Sequence, residues 1–434
     1  MSIVLFGNGI IFIYRSNSIM AIRENISDFL GLRKSTVGML FMVILVGMGE
    51  RMAERFLPIY LIALGGGAIS IGFLNGLDNL LSALYAFPGG YLSDRMGTKN
   101  ALLVFNIIAM FGYLIVILIP YWQAVLLGAI FFLSWSAISL PATMSLIARV
   151  LPMSKRTMGV SMHSLVRRIP MGLGPILGGL CIGLLGERNG VRLAFVCAFV
   201  LAIVATILQQ ILIEEDPPKS AVELSSKAPE KNPVKLFREM NPSLKRLLVS
   251  DILVRFCEQI PYAFVVVWCM KTINEPVSAL SFGVLTGIEM ATAMLVYIPV
   301  AYLADKTTKK PFVVITFGFF TTFPLVLFFC RSFQWLVLAF ILRGLKEFGE
   351  PTRKALIMDL APDDRKAAMF GLYYLLRDTV VSIAAFGGAF LWLISPFTNF
   401  IVAFLFGVAG TAFFALYGTD FPNSDLINPL SRGV

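Results

Sequence analysis

Charge is scarce in this chain. Only 14% of its 434 residues are Asp, Glu, Lys or Arg, against about 25% in a soluble globular chain. Histidine is nearly absent, His163 being the single copy, so no typical histidine-built metal cluster is available. The patterns G-x-x-x-x-G-K-[ST] and H-E-x-x-H are both missing, which leaves no sign of ATP hydrolysis or of a zinc protease. No filter-like stretch points to a channel. The five cysteines, Cys181, Cys197, Cys257, Cys269 and Cys330, sit in apolar runs at no metal-like spacing. An odd, scattered set argues against a disulfide framework and reads as small buried hydrophobes. No metal, cofactor or enzymatic activity is expected.

What the chain has is apolar surface. Hydrophobic residues make up 57%, with 37 phenylalanines and 36 glycines, more than a water-exposed shell could cover. That composition belongs to an all-α integral membrane protein whose helices pack closely in lipid. A helix needs about 20 apolar residues to cross the hydrocarbon core. That ruler gives twelve spans, at 37–62, 68–92, 100–120, 122–148, 158–184, 191–213, 244–270, 277–303, 311–330, 333–358, 368–394 and 396–418. A polar linker at 214–243, opening Glu214-Glu215-Asp216-Pro217-Pro218, divides them six and six. The expected units are therefore a segment at 1–35, a six-helix bundle at 36–213, the linker, a second bundle at 244–418 and a tail at 419–434.

The net charge of +10 suits topology better than nucleic acid, because the basic residues cluster in loops. With a cytoplasmic N-terminus, only Arg188, Arg192, Lys271 and Arg331 fall on the far side. The positive-inside rule then puts both termini and the linker in the cytoplasm. A bacterial or archaeal plasma membrane is the expected location. Residues 1–19 hold an apolar stretch too short to span and without a cleavage site. Met20 is an equally good start, so 1–19 could be an extension.

The halves repeat each other at an offset near 210. Pro88-Gly89-Gly90-Tyr91-Leu92-Ser93-Asp94 returns as Pro299-Val300-Ala301-Tyr302-Leu303-Ala304-Asp305, and Gly72, Gly76 and Asp78 return as Gly283, Gly287 and Glu289. Farther on, Pro141, Leu146, Arg167 and Gly178 match Pro351, Leu356, Arg377 and Gly388. Arg51 and Glu54 recur as Arg255 and Glu258. Six spans per half make these parallel repeats, with a binding site expected at midplane between them.

Gly90-Tyr91-Leu92-Ser93-Asp94-Arg95-Met96-Gly97-Thr98-Lys99 resembles the loop signature G-x-L-a-D-r-x-G-r-k of the major facilitator superfamily. Thr98 departs from it, and the copy ending at Lys310 lacks both glycines. The resemblance covers essentially the whole chain and implies the major facilitator fold. It also implies gating by Asp94, which would hold the cytoplasmic side shut by pairing with a base and a helix N-terminus. Arg95, Lys99 and Asp305 belong to the same device. Gly174-Pro175-Ile176-Leu177-Gly178-Gly179 is similar to the family's G-P-x-x-G-G element, associated with exporters that exchange substrate for protons. Small residues at those places equally serve close helix packing.

Ionisable groups inside spans are costly, about 2.5–3.5 kcal/mol each on insertion scales. Spans 1, 2 and 5 nevertheless carry Glu50, Arg51, Glu54, Arg55, Asp78, Arg167 and Arg168. Spans 7, 8, 10 and 11 carry Asp251, Arg255, Glu258, Glu289, Arg343, Lys346, Glu347, Glu350, Arg377 and Asp378. Arg51 and Glu54 lie three apart, as do Arg255 and Glu258, so each pair shares a helix face. The family implies that spans 1, 4, 7 and 10 line the cavity while 2, 5, 8 and 11 join the halves. Glu54, Glu258, Arg51 and Arg255 are then the residues expected at a proton-coupling or substrate cavity. Asp78, Glu289, Arg167 and Arg377 are expected to pair at the interface. Trp135 and Tyr262 could contact a ligand.

These features predict a monomeric secondary transporter moving a small organic molecule through the bilayer by alternating access, with protons as the coupling ion. Proton-coupled efflux leads. Uptake of an anion or zwitterion is the alternative, and a transport-dead sensor the third reading.

Overall fold

The structure, a computed structural model, describes residues 34–133, 135–150, 153–214, 233–305, 308–362 and 366–420. Residues 1–33, 215–232 and 421–434 lie outside it, and with them the proposed start extension, most of the linker and most of the tail. The described residues are helical and contain no strand. In the first half the helices are α1 (Lys34–Glu54), α2 (Leu57–Ala63), α3 (Ala68–Met96), α4 (Thr98–Leu118), α5 (Trp122–Phe132), α6 (Trp135–Val150) and α7 (Met153–Leu212). In the second they are α8 (Pro233–Glu239), α9 (Pro242–Tyr262), α10 (Phe264–Val267), α11 (Ala279–Asp305), α12 (Lys310–Phe329), α13 (Phe333–Leu345), α14 (Glu350–Leu360), α15 (Lys366–Ile394) and α16 (Pro396–Tyr417). A π-helical turn at Trp268–Thr272 continues α10.

Local chemistry sets the ends. Proline opens α2, α9, α12, α14 and α16, where its missing N–H costs nothing. The Asn241 side chain accepts from Ser243 N, and Ser395 from Thr398 N, each satisfying an orphan donor. Gly97, the second glycine of the loop signature, has φ +82° between α3 and α4, a conformation that favours glycine. Within α7 the helix breaks at Gly186, with φ +74° and ψ +175°. Beyond it Gly190 packs on the backbone of Cys181 and Ile182, so α7 doubles back and holds expected spans 5 and 6.

Among the described residues, seven helices are long and apolar enough to cross a membrane by themselves. An eighth joins them if Pro242–Tyr262 and Phe264–Thr272, which meet at 41°, count as one span. Twelve remains the expectation of the sequence. Part of the difference is visible: α7 counts once, and expected spans 4 and 10 are each two shorter helices. The interruptions follow a rule. Expected spans 1, 4, 7 and 10 break, at Arg55–Phe56, near Leu133, at Ala263 and across 346–349, whereas α3, α11 and α15 run unbroken. Broken helices leave backbone polar groups that lipid cannot satisfy, so they belong where they are buried in protein or line a cavity.

The first half packs α1 against α7, α3 against α6, and α4 against α5 and α7. The second packs α9 against α15 and α16, and α11 against α13. Two seams join the halves, α7 with α11 and α3 with α15, and the short α2 and α10 touch across the same boundary. Burial runs opposite to a soluble protein. Leu184, Leu295, Ile394 and Leu416 are largely exposed, while Asp251, Glu289 and Arg353 are buried. An apolar exterior around a charged interior fits lipid as the solvent.

Candidate functional site

The four helix breaks surround a cleft of about 500 Å³ between the halves. From the first half it is lined by Glu54, Arg55, Leu74, Asn75, Asp78 and Leu133; from the second by Tyr262, Val265, Phe282 and Arg343, among others. A side chamber of about 290 Å³ shares Val265 and Arg343 with it and adds Glu258, Lys346, Phe319, Phe320 and Phe323.

On α1, Arg51 Nη1 lies 2.7 Å from Glu54 Oε2. On α9, Arg255 Nη1 lies 2.6 Å from Glu258 Oε2. The repeated Arg-x-x-Glu spacing thus makes an ion pair in each half. The second pair is embedded in a larger network. Lys346 Nζ donates to Glu258 Oε1 at 2.8 Å and lies 3.4 Å from Glu289, which Arg343 approaches at 3.3 Å. Arg255 also lies 3.5 Å from Glu350 and 3.9 Å from Asp251. Asp251 in turn pairs with Arg353 and Arg377 and accepts from Tyr373 Oη at 3.0 Å.

Asp78 lines the cleft as a carboxylate. Among the described residues it makes no hydrogen bond and no ion pair. Glu289 and Arg377, expected to pair between the halves, bond instead within the second half. Arg377 takes Asp378 at 2.7 Å and Asp251 at 3.5 Å. Arg167 lines a separate small pocket with His163, Trp135 and Ser139, so Trp135 faces that pocket and not the central cleft. Trp135 Nε1 donates to Asn106.

The contacts that cross between halves came from residues the sequence did not single out as partners. Arg55 Nη1 donates to Tyr262 Oη at 2.8 Å, with its guanidinium 5.2 Å from the ring centre. Asn75 Nδ2 donates to the Gln259 carbonyl at 3.0 Å, and Asn79 Nδ2 to Gln259 Oε1 at 3.2 Å. Arg168 lies 3.0 Å from Glu347. Beyond the cleft, Lys271 Nζ lies 2.5 Å from Glu187. Gln259 is one of the last four residues of α9, whose carbonyls lack intrahelical partners. Asn75 therefore caps a group that the break set free, as Asn399 does for Ile260 at 3.3 Å. Pro261, inside the last turn of α9, was the one sequence signal for this break.

The glycine-proline element is a packing surface here. Gly174 and Gly178 press on the backbone of Arg51 and Met52, and Gly179 on that of Ala279 and Leu280. Gly283 presses reciprocally on Pro175 and Ile176. Of the gating loop, Arg95 is exposed and Lys99 half-buried. The side chain of Asp94, the Gly90 site and the Asp305 side chain lie outside the described residues. No group of three or more His, Cys, Asp or Glu among the described residues could hold a metal ion.

The profile of the Major Facilitator Superfamily matches residues 39–385. An uncharacterised transporter of that type from Methanocaldococcus jannaschii is 23% identical over 368 residues, covering 82% of this chain and 87% of its own. Among solved structures, a peptide transporter in complex with sulfate superposes with a TM-score of 0.69 at 14% identity, over 88% of this chain and 93% of that one. A nucleoside transporter superposes with a TM-score of 0.73 at 13% identity, over 88% and 100%.

Proposed function

Because this chain belongs to the Major Facilitator Superfamily, we propose that it takes up a small zwitterionic organic molecule, driven by the proton gradient. That it is a multi-pass membrane transporter and not an enzyme follows from the family itself. The cargo class rests on one observation. The cleft carries carboxylates from one half, Glu54 and Asp78, and the Arg343 guanidinium from the other. A molecule bearing an amine and a carboxylate is complementary to such a lining. An apolar drug would leave those charges desolvated and unpaired. The peptide transporter that shares the fold handles cargo of this electrostatic kind, a peptide with free ends.

Coupling is assigned to Glu54 and Glu258. Each is held by an arginine three residues before it, and a carboxylate that exchanges its basic partner for a proton can link protonation to rearrangement. The absence of an ATP-binding loop in the sequence leaves a gradient as the energy source. Efflux drew its support from the glycine-proline element, and close helix packing accounts for those residues. In the orientation read from the basic loops, α2, α10 and the Lys271–Glu187 pair lie toward the outside and bridge the halves there.

The test is flux in proteoliposomes of defined orientation. With an inward proton gradient, L-alanyl-L-alanine should accumulate above its external concentration, and a protonophore should abolish this. Accumulation only in vesicles of inverted orientation would restore efflux. Equal flux with and without the gradient would remove proton coupling.

A further inference from the structure

The repeat gives each half one carboxylate at the same place, Asp78 on α3 and Glu289 on α11. Their surroundings differ. Glu289 is wholly buried and lies 3.3 Å from Arg343 and 3.4 Å from Lys346. The offset of 210 that matches Pro141 to Pro351 and Leu146 to Leu356 carries Arg343 back to Leu133 and Lys346 back to Ser136. Leu133 and Arg343 both line the central cleft, as repeat-related positions should. In the first half, then, the carboxylate is kept while the cations that neutralise its counterpart are replaced by uncharged residues.

The other neighbours do not make up the difference. The charges that act on Asp78 come from α1 and its end: Glu54, Arg51, Glu50 and Arg55, two of each sign. Arg51 is bonded to Glu54, and Arg55 to Tyr262 across the cleft. Neither guanidinium comes within ion-pair distance of Asp78. A carboxylate that lines a cleft without an internal partner is placed to take one from outside, because desolvated charge is stable only when paired.

We propose that Asp78 receives the ammonium group of the transported molecule, in the position that Arg343 and Lys346 fill for Glu289. This rests on the reading of the cargo as a zwitterion and adds which residue reads its positive end. Leu133 becomes a specificity-determining residue by what it omits: a basic side chain there would supply the counter-ion from within and exclude the ammonium.

The experiment compares binding of L-alanyl-L-alanine and N-acetyl-L-alanyl-L-alanine to the purified full chain. The wild type should prefer the free amine by about tenfold or more, the range of a charged hydrogen bond. Asp78→Asn and Leu133→Arg should each bring that preference close to one, while Leu133→Gln, polar but uncharged, should keep it. The two variants attack the same pairing from opposite sides, so either one that remains monodisperse decides. A preference retained in Asp78→Asn or in Leu133→Arg would overturn the assignment and leave the zwitterion reading standing. A wild type that binds the dipeptide without discriminating the acetylated form would do the same. A wild type that binds neither probe would overturn the cargo reading and this assignment with it.

Discussion

Replacing Glu258 by Gln separates the structural part of the charge network from its proposed coupling role. Glu258 accepts two charge-assisted bonds, from Arg255 at 2.6 Å and from Lys346 at 2.8 Å. A neutral amide of the same size retains hydrogen bonding but loses the charge, about 1 kcal/mol for each bond. Neither cation is stranded: Arg255 still lies 3.5 Å from Glu350, and Lys346 3.4 Å from Glu289. The expected destabilisation is therefore about 2 kcal/mol, below the 3–5 kcal/mol, roughly, of a buried pair broken to leave a bare charge. The variant should fold, and denaturant titration in mixed micelles measures the difference. Its transport should split: counterflow exchange persists, because it moves no net proton, while gradient-driven accumulation falls to the level of a protonophore-treated control. Glu54→Gln, facing Arg51 at 2.7 Å, is made in parallel. If both single variants and the double variant still accumulate cargo in a pH-dependent way, neither residue couples. If Glu258→Gln fails to fold, the secondary pairings do not hold the cations and the reasoning about the network is wrong.

Three further outcomes follow from packing and charge. Asp251→Ala strands Arg353, Arg377 and the Tyr373 hydroxyl in a fully buried place, so unfolding should ease by about 3–5 kcal/mol; unchanged stability would refute the buried network. Gly178→Ala would drive a methyl into the Met52 carbonyl, whereas Gly183 has open space around it. The first should cost about 1–3 kcal/mol and the second should be neutral or slightly stabilising, both read from the same titration. Lys271→Glu sets like charges against each other at the Glu187 contact and should raise thiol labelling of a cysteine placed at Phe282 in the cleft from the outer side. Adding Glu187→Lys should return labelling to the wild-type rate, and failure to do so would show that the pair does not close that end.

The repeat and the helical period carried much of this site. Arg51 and Glu54, like Arg255 and Glu258, meet because residues three apart share a face, which is a property of one helix and hence readable along the chain. The matching of Asp78 to Glu289 was equally legible. What the chain could not reveal was which helix lies next to which. Glu258 finds Lys346 at a separation of 88 residues, and Arg55 finds Tyr262 at 207; no local pattern encodes either. The seams did follow the family's arrangement, with α7 on α11 and α3 on α15. Glu289 and Arg377 nevertheless turn into their own half, because the bases and acids nearest them, Arg343 and Asp251, sit on helices of that half. Asn75 escaped notice for another reason. Its partner is a backbone carbonyl, exposed only because α9 stops at Tyr262, and a backbone group has no letter in a sequence.

The reciprocal contact of Gly179 and Gly283 has a mechanical consequence. Each glycine rests on the other helix's main chain, one turn from where its own chain is pressed in return. A seam of that kind has no interlocking teeth, since ridges of side chains are what oblige one helix to climb over another. Turning α11 over α7 there requires few rotamer changes and opens no void large enough for lipid. The seam behaves as a low-friction bearing, and resistance to motion shifts to its rim. At the rim stand Arg55 with Tyr262, Asn79 with Gln259 and Lys271 with Glu187, polar bonds worth about 1 kcal/mol each after exchange with water. The joint is permanent where it is greasy and tight, and renewable where it is wet.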